Sequence, residues 1–197
     1  MVKSPDDLAL MRISGRLLAS VFEMLDGIEL AGLSTLEVND LVERFISVDL
    51  AARPASKGQY DFKYVLNSSV NHVVCHGMPD GQEIIRDGDI VNLDITLEKN
   101  GFIADSSKTY MVGTVQPAAR RLVRVAQEAM WKGIREVRPG AHLGDIGYAI
   151  ERHAKRNGYA VVREYCGHGI GREMHEEPQV PNFGRPGTGV KLRQGMV

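Results

Sequence analysis

The sequence predicts an α+β protein made of two related halves, and three observations support this fold class. Residues 87–112 have the alternating pattern of a β-hairpin. Four other segments combine helix-capping signals with apolar residues at helical spacing. A long helix, a glycine and a shorter capped helix occur twice in that order, with Gly32 and Gly140 at equivalent places, 108 residues apart. The repeat predicts two pseudo-symmetric halves with antiparallel sheets covered by four helices.

The first two helices are predicted from their N-terminal caps. Ser4 precedes Pro5 and two acidic residues, which is the pattern of a helix start, and an apolar stripe continues to about Leu30. Residues 34–37 form a capping box, and the helix that they open is expected to end near Leu50.

The other two helices lie on either side of the second glycine. Pro117 begins a long helix that Pro139 ends, and a fourth helix runs from about His142 to Arg156, closed by Asn157-Gly158. The apolar face of the long helix is expected to lie in the core, and it consists of Leu122, Val125, Ala126, Ala129 and Ile134. Three short strands are expected at Phe62 to Leu66, Val70 to Cys75 and Tyr159 to Tyr165.

The hairpin sequence also predicts how its two strands pair. The apolar residues of the first strand alternate with polar ones, and they are Val91, Leu93, Ile95 and Leu97. Asn100-Gly101 supplies the two residues with positive φ that a type I′ turn needs. With that turn, Lys99 pairs with Phe102, so the residue numbers of any two paired residues add up to 201. Asp105 then pairs with Thr96, two positions from Asp94, so the two aspartates lie on one face as diagonal neighbours.

These two aspartates allow two interpretations. Carboxylates held this close repel each other unless a positive charge lies between them, and one or two divalent metal ions would supply it. Alternatively, Asp94 and Asp105 are ordinary acidic residues on the solvated face of a hairpin. The hairpin residues alone leave both interpretations open.

Composition sets broad limits on function. The chain has 197 residues, enough for one substantial domain, and a formal net charge of −1, which gives no direct nucleic-acid signal. Its start lacks the cationic and apolar regions of a signal peptide, and no apolar stretch approaches membrane-spanning length. A cytoplasmic protein without a membrane partner is therefore expected. The two cysteines give no disulfide framework.

A second chemical motif, CGHGIGREMHEEP at residues 166–178, places His168 among glycines just after an expected strand. A dinucleotide-binding fingerprint is excluded because the third glycine is displaced and Pro178 interrupts the helix that it would open. A zinc-protease HExxH motif is excluded because the segment that begins at His175 lacks the second histidine.

A structural zinc site made of Cys75, His76, Cys166 and His168 is disfavoured, because adjacent strand residues point to opposite faces. Carboxylates together with one imidazole suit Mn, Fe, Co or Zn instead.

Four motifs together carry a resemblance to a known family: VNHVVCHGMPD, DGDIVNLDITLEKNGFIADSSKTY, VVREYCGHGIGREMHEEPQVP and the closing LRQGMV. From the first helix to Val197, the sequence resembles the type I methionine aminopeptidases, metallopeptidases of the pita-bread (creatinase/aminopeptidase) fold. The resemblance implies an enzyme that removes the initiator methionine from nascent proteins.

The resemblance also implies residue roles. Asp94, Asp105 and His168 are implied as ligands of two divalent metal ions, Co, Mn, Fe or Zn, whose bridging hydroxide attacks the first peptide bond. His76 and His175 are implied as catalytic residues that contact the substrate, and His175 would stabilise the developing oxyanion.

The methionine pocket is expected to be lined by Phe62 and Met174. Its neighbourhood departs from the family pattern, because residues 58–63 replace a Tyr-, Gly- and Pro-rich run and Asn67 stands where members often carry cysteine.

The family pattern continues after Gly195-Met196 into a strand with a glutamate and later into a second glutamate. These glutamates are further metal ligands in the family, and the first acts as general base. Residues 1–197 are therefore expected to form a single aminopeptidase domain that lacks the C-terminal part of the family fold, and the 197-residue form is expected to be inactive.

The expected partners are N-terminal methionyl peptides of nascent chains, met at the ribosome by a monomeric enzyme. One alternative is an Xaa-Pro aminopeptidase or dipeptidase of the same fold, which the compact chain and the CHG and CGHGIG contexts disfavour. Another is an inactive pita-bread binding module, which the retained metal-ligand residues disfavour.

Overall fold

The computed structural model describes residues 2–197 and divides them into two compact units. The hairpin unit comprises residues 9–119 and 172–174. The C-terminal unit comprises residues 120–171 and 175–197 together with the described N-terminal residues 2–8. Each unit has its own hydrophobic core.

Four α-helices occur between residues 2 and 197, as the sequence predicts: α1 (Pro5–Asp26), α2 (Thr35–Arg44), α3 (Pro117–Arg135) and α4 (Leu143–Arg156). The Ser4 hydroxyl accepts the Asp7 amide at 3.1 Å, which confirms the first cap. The predicted end near Leu30 is wrong by four residues, because the chain turns at Gly27. A π-helical turn, Phe45–Asp49, extends α2 to the predicted length.

Six strands are present in the same range: β1 (Arg53–Pro54), β2 (Leu66–Val70), β3 (Ile90–Lys99), β4 (Phe102–Met111), β5 (Gly167–Gly169) and β6 (Glu176–Val180). In the hairpin unit, β4 pairs along one edge of β3, and β1 and β2 pair antiparallel with β3 at positions 97–98 and 91–95. In the C-terminal unit, β5 and β6 form a two-stranded antiparallel sheet.

The three predicted short strands are wrong, and the backbone shows why. The chain before Phe62 turns sharply, with positive φ at Tyr60 and Asp61, so β2 begins only at Leu66. Asn71, with a φ of +50°, ends β2 and bonds Ile90 with both its main chain and its side chain. Residues 159–165 acquire no strand partner within the described chain, where the strand forms at 167–169 instead.

The core of the hairpin unit forms where one face of β3 packs under α1 and α2. The residues with odd numbers from Val91 to Leu97 are fully buried, as the alternation predicts. They meet a stripe of helical residues that includes Leu18, Val21, Leu25, Val38 and Val42. The Ser14 hydroxyl of α1 donates to the Phe102 carbonyl at 2.9 Å, which ties the helix to the turn end of the hairpin.

The C-terminal unit has a smaller core, formed by Ala141, Leu143, Ile146 and Leu192. His142 is the N-cap of α4, and its backbone amide donates to Asp145 at 2.7 Å. The backbone amides of His142 and Gly187 lower the pKa of Asp145 below its ordinary value.

No helix among residues 2–197 combines the length and apolar character needed to cross a membrane.

Candidate active site

The hairpin has the register that the sequence predicts. Asn100 and Gly101 both have positive φ, as a type I′ turn requires. Asp94 pairs with Ser107, and Thr96 pairs with Asp105. Asp105 is therefore two positions from the partner of Asp94, so the two carboxylates share one face as diagonal neighbours. Asp94 is half-buried and Asp105 is exposed.

Other polar groups support this face of the hairpin. Asn92 donates to the Thr109 hydroxyl at 3.1 Å, and Asn67 of β2 pairs with Asp94 in register. Near the turn, the side chain of Arg53 and the backbone amide of Gly101 both donate to Glu98, and they lower the pKa of its carboxyl. This face therefore presents oxygen atoms of the kind that bind metal ions, and its strand β3 is paired with β4 along its whole length.

Lys108 connects the second strand to α1. Its ammonium group lies 2.5 Å from the Asp26 carboxylate and lowers the pKa of that carboxyl. Burial raises the pKa of the neighbouring Tyr110 phenol, and the Asp26 carboxylate adds to the effect. Sequence reasoning did not identify this group of residues.

His76 lies in a constrained loop just after β2. It is exposed and has a φ of +57°, in the left-handed region that few residues other than glycine adopt. Gly77 holds the loop against β2, because its carbonyl accepts the Ser68 amide at 2.8 Å. A Cβ at Gly77 would lie 2.0 Å from the Ser68 carbonyl oxygen, so this close approach requires glycine. His72, four residues earlier, is also exposed.

The two candidate methionine-pocket residues both lie in the hairpin unit. Phe62 packs edge-to-face on Tyr64, with 5.6 Å between the ring centroids. Met174 is buried, with 9 % exposure. Its neighbour Arg172 lies 4.3 Å above the ring of Phe102, which fixes residues 172–174 to the hairpin.

His168 and His175 come together in the C-terminal unit, with 4.5 Å between their ring centroids and an angle of 62°. His168 Nδ1 lies 3.0 Å from the carbonyl oxygen of Gly169. A carbonyl can only accept, so Nδ1 carries the proton and the lone pair of the neutral ring is on Nε2. This is the arrangement by which a backbone carbonyl orients a metal-binding imidazole.

Close backbone packing explains the glycine next to His168. A Cβ at Gly169 would lie 2.5 Å from the Glu177 carbonyl oxygen, so β5 can approach β6 only with glycine there. Glu176 on β6 also receives a bond from Lys3 at 2.5 Å, and both side chains are largely buried. Sequence patterns do not predict this ion pair, because its partners are 173 positions apart.

The C-terminal unit also contains an apolar cavity of about 770 Å³ beside α3 and α4. Leu122, Ala126 and Ile134 line it and are exposed, Leu122 at 44 % and Ile134 at 46 %, so the prediction that these three lie in the core is wrong. This face of α3 is apolar as expected, but no apolar surface among residues 2–197 covers it at Leu122 and Ile134. Val125 and Ala129 are buried as predicted.

The two carboxylates of the hairpin unit are oxygen ligands that suit hard divalent ions. The imidazole of His168 in the C-terminal unit is a nitrogen ligand that suits borderline ions. Within residues 2–197, no three His, Cys, Asp or Glu side chains are grouped closely enough to hold a metal ion. Neither Cys75 nor Cys166 is in a disulfide bond.

Comparisons with known proteins agree with the motifs. The model of metallopeptidase family M24 matches residues 9–197. Methionine aminopeptidase from Escherichia coli K12 is 43% identical over 196 residues, covering 100% of this chain and 74% of the relative. The crystal structure of methionine aminopeptidase from Rickettsia prowazekii has a TM-score of 0.96 at 42% identity, covering 100% of this chain and 78% of that one.

More distant similarity defines the fold. Prolidase from Pyrococcus furiosus has a TM-score of 0.82 at 21% identity, covering 99% of this chain and 55% of that one, and at this identity the likeness shows the fold alone. The predicted α+β pita-bread fold is therefore confirmed. The chain belongs to metallopeptidase family M24, among the methionine aminopeptidases.

Proposed function

We propose that this protein removes N-terminal methionine from newly made proteins as a metal-dependent aminopeptidase. The observation that carries the proposal is 43% identity to the Escherichia coli methionine aminopeptidase along the whole chain. The identity to a prolidase is 21%, which favours methionine over Xaa-Pro specificity.

In this proposal, Asp94, Asp105 and His168 are ligands of two divalent metal ions, Co, Mn, Fe or Zn. Bound ions would polarise the substrate carbonyl and lower the pKa of water. Two features support the ligand assignment: the carboxylates share a hairpin face, and the Gly169 carbonyl orients His168 with Nε2 as its basic nitrogen. The two aspartates would repel each other without a cation, and the ion removes that cost.

The same proposal gives the other two histidines substrate roles. His76 and His175 donate hydrogen bonds to the peptide bond that is cleaved, and His175 stabilises negative charge on its oxygen. The strained backbone at His76 supports a functional role, because left-handed φ at such a residue is costly and persists only where surrounding structure fixes it. Phe62 and Met174 supply apolar surface for the methionine side chain.

We further propose a monomeric domain that meets nascent chains at the ribosome in the cytoplasm. The family pattern described above contains two glutamates after the segment that matches Gly195-Met196, so catalysis is proposed to need that continuation. Residues 1–197 span 74% of the Escherichia coli relative and are proposed to belong to one aminopeptidase domain.

The test measures methionine release from Met-Ala-Ser with Co or Mn present, and Ala-Pro is the comparison substrate. Two proteins are assayed: the 197-residue chain, and the same chain fused at Val197 to the following segment of the Escherichia coli relative. We expect the fusion to release methionine and to leave Ala-Pro intact, and the 197-residue chain is the comparison that measures what the added segment contributes.

Cleavage of Ala-Pro in preference to Met-Ala-Ser would replace the proposal with an Xaa-Pro peptidase. A folded fusion that cleaves neither peptide at saturating metal would favour an inactive binding module.

A further inference from the structure

The net charge of −1 conceals a separation of charge along the chain. Residues 117–157, which contain α3 and α4, have nine Lys and Arg but four Asp and Glu. Residues 1–116 have ten Lys and Arg against seventeen Asp and Glu. The two helices therefore produce a positive local field in a nearly neutral protein.

The four carboxylates on these helices leave an excess of five positive charges, nine minus four, and each of the four accepts other partners. The partners are Arg124 and His153 for Glu128, Arg138 for Glu136, Lys155 and Arg163 for Glu151, and the amides of His142 and Gly187 for Asp145. Six exposed cations on these helices have no carboxylate partner in the described part of the chain. Arg120 and Arg121 lie near the start of α3, where Arg121 donates to Asn157 and Tyr159, and the other four are Lys132, Arg135, Arg152 and Arg156.

These four cations line one surface groove of about 420 Å³, which we call the basic groove. Glu136 and Asp145 also line it, so the groove has four cations against two carboxylates. Lys132 and Arg135 are one turn apart on α3, and Arg152 and Arg156 are one turn apart on α4. A second depression of about 310 Å³ continues it, shares both cations of α3, and adds Trp131.

Two exposed aromatic side chains accompany the cations. Trp131, the single tryptophan of the chain, is 49 % exposed, and Tyr148 is 38 % exposed. The Arg152 guanidinium lies 5.9 Å from the centre of the Tyr148 ring. Cations that follow a backbone beside aromatic faces on which bases stack are the elements of single-strand nucleic-acid sites.

We propose that the basic groove binds a single strand of nucleic acid. Its phosphates contact the four cations, and an unpaired base stacks on Trp131. A duplex fits this surface less well, because its bases are already stacked on one another. The site is separate from the residues proposed for peptide cleavage, so it does not depend on that function.

The experiment measures binding of a fluorescein-labelled 12-residue oligouridine to the full chain by fluorescence anisotropy. For single strands, the logarithm of the binding constant falls with the logarithm of salt concentration, with a slope of about −0.7 per phosphate contact. Four contacts therefore predict roughly 50-fold weaker binding at 200 mM than at 50 mM salt. Charge reversal by Arg152→Glu with Arg156→Glu should weaken binding at least tenfold at 50 mM salt and at least halve the slope.

The matched control is Arg12→Glu with Arg16→Glu. These arginines are also exposed and one turn apart on a helix, α1, so the control makes the same change in net charge. We expect the control to bind within twofold of the unchanged protein. Trp131→Ala should weaken binding about fivefold or more without changing the salt slope, because stacking does not release counterions.

Circular dichroism checks that each variant is folded. If the double variant of Arg152 and Arg156 is unfolded, the double variant Lys132→Gln with Arg135→Gln on α3 takes its place. Equal losses in the groove variant and the α1 control would overturn the proposal. So would an unchanged affinity in Trp131→Ala, equal binding of a hairpin duplex, or no binding by the unchanged protein. Full displacement by inorganic polyphosphate at equal phosphate concentration would show a general polyanion surface and would also overturn it.

Discussion

Replacement of Gly77 by alanine should destabilise the protein and displace His76. The new Cβ would lie 2.0 Å from the Ser68 carbonyl oxygen and 3.1 Å from the Cα of Ser69, so backbone must move. Overpacking of this kind costs about 1–3 kcal/mol. The same movement breaks the 2.8 Å bond from the Ser68 amide to the Gly77 carbonyl, worth roughly 0.5–1.5 kcal/mol.

The expected total loss for Gly77→Ala is therefore about 2–4 kcal/mol in the free energy of unfolding. For a chain of this size, that corresponds to a fall in Tm of roughly 4–16 °C. Thermal unfolding followed by circular dichroism measures it directly.

Gly81→Ala is the control for this prediction. Gly81 lies in the same loop region, its φ is negative, and a Cβ there would meet only the Leu36 side chain at 3.6 Å, which is ordinary contact. Its Tm should change by less than about 2 °C, since surface substitutions stay within about 0.5 kcal/mol. Equal Tm values for the two variants would show that the loop relaxes freely and would refute the packing argument.

Two further predictions concern the histidines and the turn of the hairpin. Substitution of His76 or His175 by alanine should lower turnover of the fused enzyme and leave its metal content unchanged, whereas His168→Ala should lower metal content; equal metal loss in all three would contradict the assigned roles. Glu98→Gln should cost about 0.5–1 kcal/mol at pH 7, because the Arg53 side chain lowers the pKa of the folded carboxyl. That contribution is present above the ordinary carboxyl pKa and is lost as the pH falls through the lowered folded pKa. The urea midpoints of variant and parent should therefore converge as the pH falls below the ordinary carboxyl pKa, and a constant difference would exclude the charge effect.

Local patterns in the sequence predicted much of the fold. The hairpin register follows from alternation and from Asn100-Gly101, and both Asp94 and Asp105 occupy the predicted face. The helix starts were predictable because capping depends on neighbouring residues, as at Ser4 and Ser34.

Features that depend on distant residues were not predictable in this way. The strand expected at Val70 to Cys75 is wrong because Asn71 bonds Ile90 across the sheet, a contact that alternation does not encode. The ion pair of Lys3 with Glu176 joins residues from opposite ends of the chain. The apolar face of α3 was recognised, but periodicity cannot indicate what covers it at Leu122.

The charge of the C-terminal unit shows a different limit of sequence reasoning. A net charge summed over the whole chain gave no nucleic-acid signal, because the acidic residues before Pro117 offset the basic residues after it. Only the structure shows which cations are neutralised in ion pairs and which four line the basic groove.

Metal binding by the hairpin carboxylates tests the central claim most directly. Equilibrium dialysis with Mn or Co, followed by elemental analysis, gives the stoichiometry and affinity of the chain, of Asp105→Asn, and of Asp49→Asn. Asp49 is an exposed aspartate of the π-helical turn, so its variant makes the same change in charge away from the hairpin. We predict that Asp105→Asn loses metal, because an amide replaces an anionic ligand, and that Asp49→Asn binds as the parent does. Parental stoichiometry and affinity in Asp105→Asn would contradict the claim that this hairpin is a metal site.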